Sequence, residues 1–417
     1  MNIKFSDYNF TVSDRFIRFV QINTQSDPEP NTFPSTTCQF DLARLLVKEL
    51  QEIGLQDIMM DENGYVYATL PSNTNKEVPV ICFCSHMDTA PDCSGEGVRP
   101  IIHHKYAGGN ILLPAGPQSP ILVEEHPVLN TQIGNDIITA DGTTLLGADD
   151  KAGLAEILDA MHFLIQHPEI KHGKIRVLFT PDEEIGRGVD KVNLALLGAD
   201  YAYTLDGETA GWIENETFSA DAATLTIHGR ATHPGFAKGQ MEHAIRIAAS
   251  IISRLPADKA PETTEGKEPF IHPMSIQGGL ESAQVKFIIR AFDTPMLEAL
   301  EQELEQIVKE VMKDFSRSSY ELVFHEQYRN MKEVLDKHPQ VVDYAIEAIK
   351  RTGLAPVLGS IRGGTDGSRL SFMGLPCPNL FAGGHGFHSK HEWVSIQDMQ
   401  KAVETIVHLS AIWEEKA

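Results

Sequence analysis

Five groups of residues in this 417-residue chain carry side chains able to bind a metal or move a proton. The first is His86-Met87-Asp88. Residues two apart on an extended backbone point the same way, and a ligating imidazole usually hands its second N–H to a carboxylate. The second is Asp149-Asp150-Lys151, after Gly147 and at the mouth of a helix. Adjacent acids there either cap the helix and meet its dipole or need a cation to neutralise them. The third, Asp182-Glu183-Glu184, is an acidic turn or a metal ligand beside a general base. Asp206 offers a further carboxylate. The last is the glycine-rich stretch from Gly383 to Glu392, with His385, His388 and His391. Each group alone has a purely structural reading. Nitrogen and oxygen donors without sulfur, gathered in one chain, suit zinc, cobalt or manganese in a bridged pair.

The elements that must position these residues are legible around them. Val78 to Cys84 is a nearly continuous apolar run, the pattern of a strand buried on both faces, and it leads into Ser85-His86-Met87-Asp88. Lys174 to Thr180 leads into Pro181-Asp182, and Tyr201 to Leu205 into Asp206. Helical spacing predicts helices over 13–23, 37–53 (stopping at Gly54) and 151–167. Strands alternating with helices predict an α/β sheet, and such sheets gather their ligands at the C-terminal strand edge. The texture changes over 215–329, where strands at 222–228, 285–292 and 320–324 accompany helices at 241–255 and 295–315. The expected organisation is a large α/β domain, 1–214 with 330–417, carrying an inserted α+β domain, 215–329.

Composition narrows the class. Hydrophobic residues make up 42% and charged residues 22% of the chain, ordinary values for a globular protein. No apolar run approaches the roughly 18 residues of a membrane span, and Met1 to Asp7 lacks the apolar core of a signal peptide. The expectation is a cytoplasmic protein. A formal charge of −23 disfavours nucleic acid and anionic membranes as partners. The five cysteines form no zinc-finger pair or disulfide framework. Cys82 and Cys84 read as small core residues on one strand face.

On these residues the chain resembles the M20 family of metallopeptidases over nearly its whole length. The likeness rests on Ser85-His86-Met87-Asp88-Thr89-Ala90-Pro91-Asp92, on Leu145 to Gly153, and on Phe179-Thr180-Pro181-Asp182-Glu183-Glu184. Tyr203-Thr204-Leu205-Asp206-Gly207, His233-Pro234-Gly235, Ile361 to Gly367 and Pro376 to Phe381 add to it. The resemblance implies a catalytic domain with a mixed sheet and helices on both faces, and a lid made by the insertion. It implies an aminopeptidase acting on tripeptides with two Zn2+ per subunit, Co2+ or Mn2+ being possible substitutes. A related dipeptidase or N-acyl amino acid amidohydrolase is the alternative, and a monomer and a homodimer both remain open. It further implies that His86 and Asp206 hold separate metals bridged by Asp149, with Glu184 and His388 completing the two sites. His388 is chosen over its neighbours because the family's last ligand lies four residues before a glutamate, here Glu392. Asp88 would orient His86, and Glu183 would be the general base. Asp150 would follow Asp149 through an unusual peptide geometry. His233 would stabilise the oxyanion, and Arg290 and Arg362 would bind the substrate's C-terminal carboxylate.

Overall fold

The apolar run before the first histidine motif forms the strand Ile81–His86, with every residue buried. In a computed structural model describing residues 3–417, it lies inside an eight-stranded sheet. The order across that sheet is Gln56–Met60, Val66–Leu70, Ile175–Thr180, Ile81–His86, Tyr201–Gly207, Asn379–Phe381, Trp212–Thr217 and Val357–Ile361. The four central strands run parallel, and Gln56–Met60, Val66–Leu70 and Trp212–Thr217 pair antiparallel. Alternation explains the unbroken apolar run. Ile81 and Phe83 face a core with Val177, Phe179, Tyr203 and Leu205. Cys82 and Cys84 face the other way, against Tyr65, Tyr67, Leu178, Leu370 and Cys377.

Helices cover both faces. Val12–Val20, Gln39–Ile53, Ala148–Gln166 and Ile396–Lys416 contribute to the larger core, and the short helices Leu194–Leu197 and Asp366–Phe372 to the opposite one. Gln39–Ile53 stops where expected, at Gly54 with φ +100, a conformation glycine adopts without steric cost. Ala148–Gln166 is kinked at its start, where Asp149 (φ −81, ψ 103) and Asp150 (φ −122, ψ 37) are not helical, so its regular turns begin at Lys151 as predicted. A second sheet escaped sequence analysis. Its strands Gly384–His385, Trp393–Ser395, Ile137–Thr139 and Ile101–His103 are two or three residues long, too short to show a period.

The chain divides into two compact units, residues 3–215 with 331–359 and 365–417, and residues 216–330 with 360–364. The smaller unit is a four-stranded antiparallel sheet in the order Phe270–Gly278, Ser282–Ala291, Ser219–His228, Ser319–Tyr328. Leu225, Ile227, Val285, Phe287 and Ile289 pack on helices Ala244–Ile252 and Thr294–Met312 through Ile247, Ile251, Leu300, Leu304 and Val308. Pro273 hides the strand Phe270–Gly278 from sequence analysis; it is an edge strand, where proline is tolerated, and its last five residues are exposed. No helix among the described residues is long and apolar enough to cross a membrane.

Candidate metal centre

The parallel pairing sets His86 opposite Thr180, so both strands deliver their next residues to one edge. After Thr180 the chain turns through Asp182 at φ +58, a left-handed conformation that costs a non-glycine residue on the order of 1 kcal/mol or more. The Asp182 carboxylate accepts hydrogen bonds from the Ser35 N–H (2.7 Å), the Ser35 hydroxyl (2.5 Å) and the Gln39 amide (2.7 Å). These offset the cost and fix the turn Glu183–Ile185 that carries the next two acids. The unusual peptide expected after Asp149 is a cis bond to Asp150.

Five of the residues singled out in the sequence meet here. His86 Nε2 lies 2.9 Å from Asp149 Oδ1 and 3.6 Å from Asp206 Oδ1. His388 Nε2 lies 2.8 Å from Glu184 Oε2 and 3.3 Å from Asp149 Oδ2. Asp149 therefore stands between two pairs, His86 with Asp206 and Glu184 with His388. The expectation gave His86 and Asp206 to separate metals; here their side chains lie 3.6 Å apart. Ile81–His86 and Tyr201–Gly207 are parallel neighbours, so their C-terminal ends lie side by side. Asp150 is close to His86 and Asp206 as well. Its oxygens, however, accept the N–H groups of His86 (3.2 Å) and Gly153 (3.3 Å).

Asp88 is fully buried. His86 Nδ1 is nearer the Asp88 backbone carbonyl (3.1 Å) than its carboxylate (3.4 Å). The carboxylate oxygens accept the N–H groups of Glu183 (2.9 Å) and Glu184 (3.1 Å). A link that sequence reasoning missed is Asp366, a buried acid that accepts a hydrogen bond from the Thr180 hydroxyl at 2.7 Å. Its only sequence signal is the Thr365-Asp366-Gly367 motif.

Acids outnumber imidazoles at this edge. Burial opposes a charge on His86, but Asp149, Asp206 and Asp88 prevail and push its pKa well above the usual value. Hydrogen bonds to Asp149 and Glu184 raise His388 to about 11. Burial, then the charge of Asp149, raises Glu184 to about 8 and Asp206 to about 6. Burial also pushes Glu183 well up, reinforced by Asp206, Asp366 and Glu184. Among the described residues, no lysine or arginine pairs with these acids, and Glu184 Oε1 is buried with no hydrogen-bond partner. Imidazole and carboxylate donors in two groups sharing one aspartate fit divalent ions.

The remaining predicted residues lie in the smaller unit. His233 is exposed, and its Nδ1 accepts the Gly235 N–H at 3.1 Å. The Arg290 guanidinium lies over the Tyr328 ring and donates to the carbonyls of Asp221 and Ile289. Arg362 lies against the rings of Phe218 and Phe270 and donates to Gly266, Glu268 and Thr264. Neither arginine has a carboxylate partner among the described residues; Asp293 instead caps the helix Thr294–Met312.

Comparison with known proteins agrees with this architecture. Residues 140–411 match the model of peptidase family M20/M25/M40. Peptidase T of Geobacillus kaustophilus is 50% identical over 404 residues, covering 97% of this chain and 98% of the relative. The fold matches the crystal structure of a tripeptidase from Staphylococcus aureus with a TM-score of 0.76 at 23% identity, over 97% of this chain and 98% of that one. It also matches a Bacillus subtilis protein described as a dinuclear metal binding peptidase, with a TM-score of 0.67 at 15% identity and the same coverage. The chain is a metal-binding peptidase that belongs to the M20 family.

Proposed function

We propose that this chain is a zinc-dependent aminopeptidase that removes the first residue of tripeptides. The observation that carries the reading is the placement of Asp149 between two donor pairs, with Glu183 in the same turn as Glu184. The names of the relatives, a peptidase T and a tripeptidase, support the substrate class. In this reading His86 and Asp206 hold one ion, Glu184 and His388 the other, and Asp149 both. Bound there, the metals supply Lewis-acid polarisation of the scissile carbonyl and lower the pKa of water.

The chain's own groups do the rest. Glu183 takes a proton from the attacking water on its carboxylate and passes it to the leaving nitrogen. Burial raises the Glu183 pKa well above the usual carboxyl range, which helps the group hold the proton until it is returned. The backbone of Glu183 is pinned by Asp88, which limits its motion during both transfers. His233 serves as an oxyanion donor: with Nδ1 accepting from Gly235, the neutral ring carries its proton on Nε2. Arg290 and Arg362 bind the carboxylate end of the peptide, because a planar guanidinium matches a carboxylate. The test is Glu183→Gln. The variant should retain its metal by elemental analysis while tripeptide turnover falls by about 10^2- to 10^4-fold. Turnover near wild type sinks the assignment of the base. Assaying a dipeptide and an N-acetyl amino acid alongside the tripeptide decides the substrate class, and chelation followed by Zn2+, Co2+ or Mn2+ decides the metal.

A further inference from the structure

Ahead of the regular turns of Ala148–Gln166, Asp149 and Asp150 are not helical and Gly147 at φ +85 has no side chain to offer the nearby N–H groups. Glu392 meets those groups from 243 residues beyond Asp149. Its Oε2 accepts the N–H groups of Leu146 and Gly147, each at 2.7 Å, and its Oε1 accepts that of Asp149 at 3.0 Å. The carboxylate is 1% exposed, so water scarcely competes. A carboxylate receiving three backbone hydrogen bonds out of reach of water is strongly held. Glu392 is fixed from its own side too. It directly precedes the strand Trp393–Ser395, in which Trp393 pairs with both Thr139 and His385. Four residues before Glu392 stands His388, whose imidazole meets the Asp149 carboxylate at 3.3 Å.

We propose that Glu392 is a positioning residue that locks the loop carrying His388 to the non-helical segment carrying Asp149, so that the residues proposed to hold the two metals face each other at a fixed separation. The proposal rests on the reading that Asp149 and His388 hold metal. Glutamine at this position keeps the length but turns an amide N–H2 toward backbone donors, leaving at least one of them unpaired. Aspartate keeps the charge but falls short by one methylene.

The experiment compares the full-length wild type with Glu392→Gln and Glu392→Asp. It measures zinc affinity by chelator competition, the melting temperature of each metal-free protein, and tripeptide kinetics at saturating zinc. Loss of a group that orients a metal ligand typically weakens affinity about 10- to 100-fold. That loss is expected for Glu392→Gln, with a metal-free melting temperature close to that of the metal-free wild type. At saturating zinc, kcat should fall while KM holds, and Glu392→Asp should recover part of both losses. Wild-type affinity in Glu392→Gln overturns the proposal. So does a Glu392→Gln protein that fails to fold or melts well below the metal-free wild type, since the residue then serves the fold alone. A wild-type chain that takes up no zinc overturns the metal reading itself, and this proposal with it.

Discussion

Asp88 spends both of its carboxylate oxygens on the backbone of the turn that carries Glu183 and Glu184. The two-residue spacing from His86 correctly placed a carboxylate near the imidazole. It could not reveal the stronger link, because the partners stand 95 and 96 residues away. A single buried side chain thus holds the proposed base Glu183 and the proposed metal donor Glu184 together, and its loss should be felt by both. Asp88→Asn preserves shape but presents an amide N–H2 to one of the two N–H groups, leaving a buried donor unpaired at a cost of about 1–3 kcal/mol. Zinc affinity should fall about 10- to 100-fold, with kcat falling in parallel. Chelator competition reads the first effect and steady-state kinetics the second. Affinity within twofold of wild type means the turn holds itself in place.

At the scale of elements, the helix Ala148–Gln166 joins the centre to the core. Gly153 lies against the neighbouring strand, where an added Cβ would come within 2.2 Å of the Leu205 carbonyl oxygen. Gly153→Ala must therefore push the helix off the strand that carries Asp206. It should cost about 1–3 kcal/mol of stability on the scale of overpacked cores, read as a lower melting temperature, and lower metal content with it; unchanged values for both mean the backbone gives freely. One turn further on, Glu156 is fully buried and neither of its oxygens has a hydrogen-bond partner. Burial, then the charges of Asp150 and Asp398, push its pKa well above the usual carboxyl range. A carboxyl raised in this way contributes stability below its unfolded pKa of about 4.3, and that contribution is lost as pH climbs toward the folded value. Glu156→Gln does not titrate. Its gain in melting temperature over wild type should be small at pH 5 and larger at pH 8; equal gains at both pH values contradict a buried titrating acid. The helix, the three parallel strand ends and the acids after them were legible because period and apolar runs mark buried elements. The strands Trp393–Ser395 and Ile137–Thr139 were not, being set by pairing across more than 250 residues rather than by local pattern.

Across the whole molecule, the centre draws its groups from chain segments that share no sequence neighbourhood: the end of Ile81–His86, the start of Ala148–Gln166, the turn Glu183–Ile185, the end of Tyr201–Gly207 and the loop before Trp393–Ser395. What they bring is mostly negative and mostly buried. Asp149, Glu184 and Asp206 converge with Asp88, Asp150 and Asp366 close behind, against two imidazoles. Burial and neighbouring charge raise Glu184, Asp206, Asp150 and Asp366 above the usual carboxyl range, while hydrogen bonds from His388 and His86 hold Asp149 below it. Divalent ions reverse that balance, and ions that bind only the folded chain stabilise it by mass action. Free zinc at a hundred times its dissociation constant contributes about 2.7 kcal/mol per site. Stripping the protein with a chelator should lower its melting temperature by several degrees, and zinc added after removal of the chelator should restore it. Scans of the Glu183→Gln protein should show the same shift, because its five donor residues are intact. An equal melting temperature with and without metal in both proteins would leave the convergence of these acids without a stabilising partner and refute the binuclear reading.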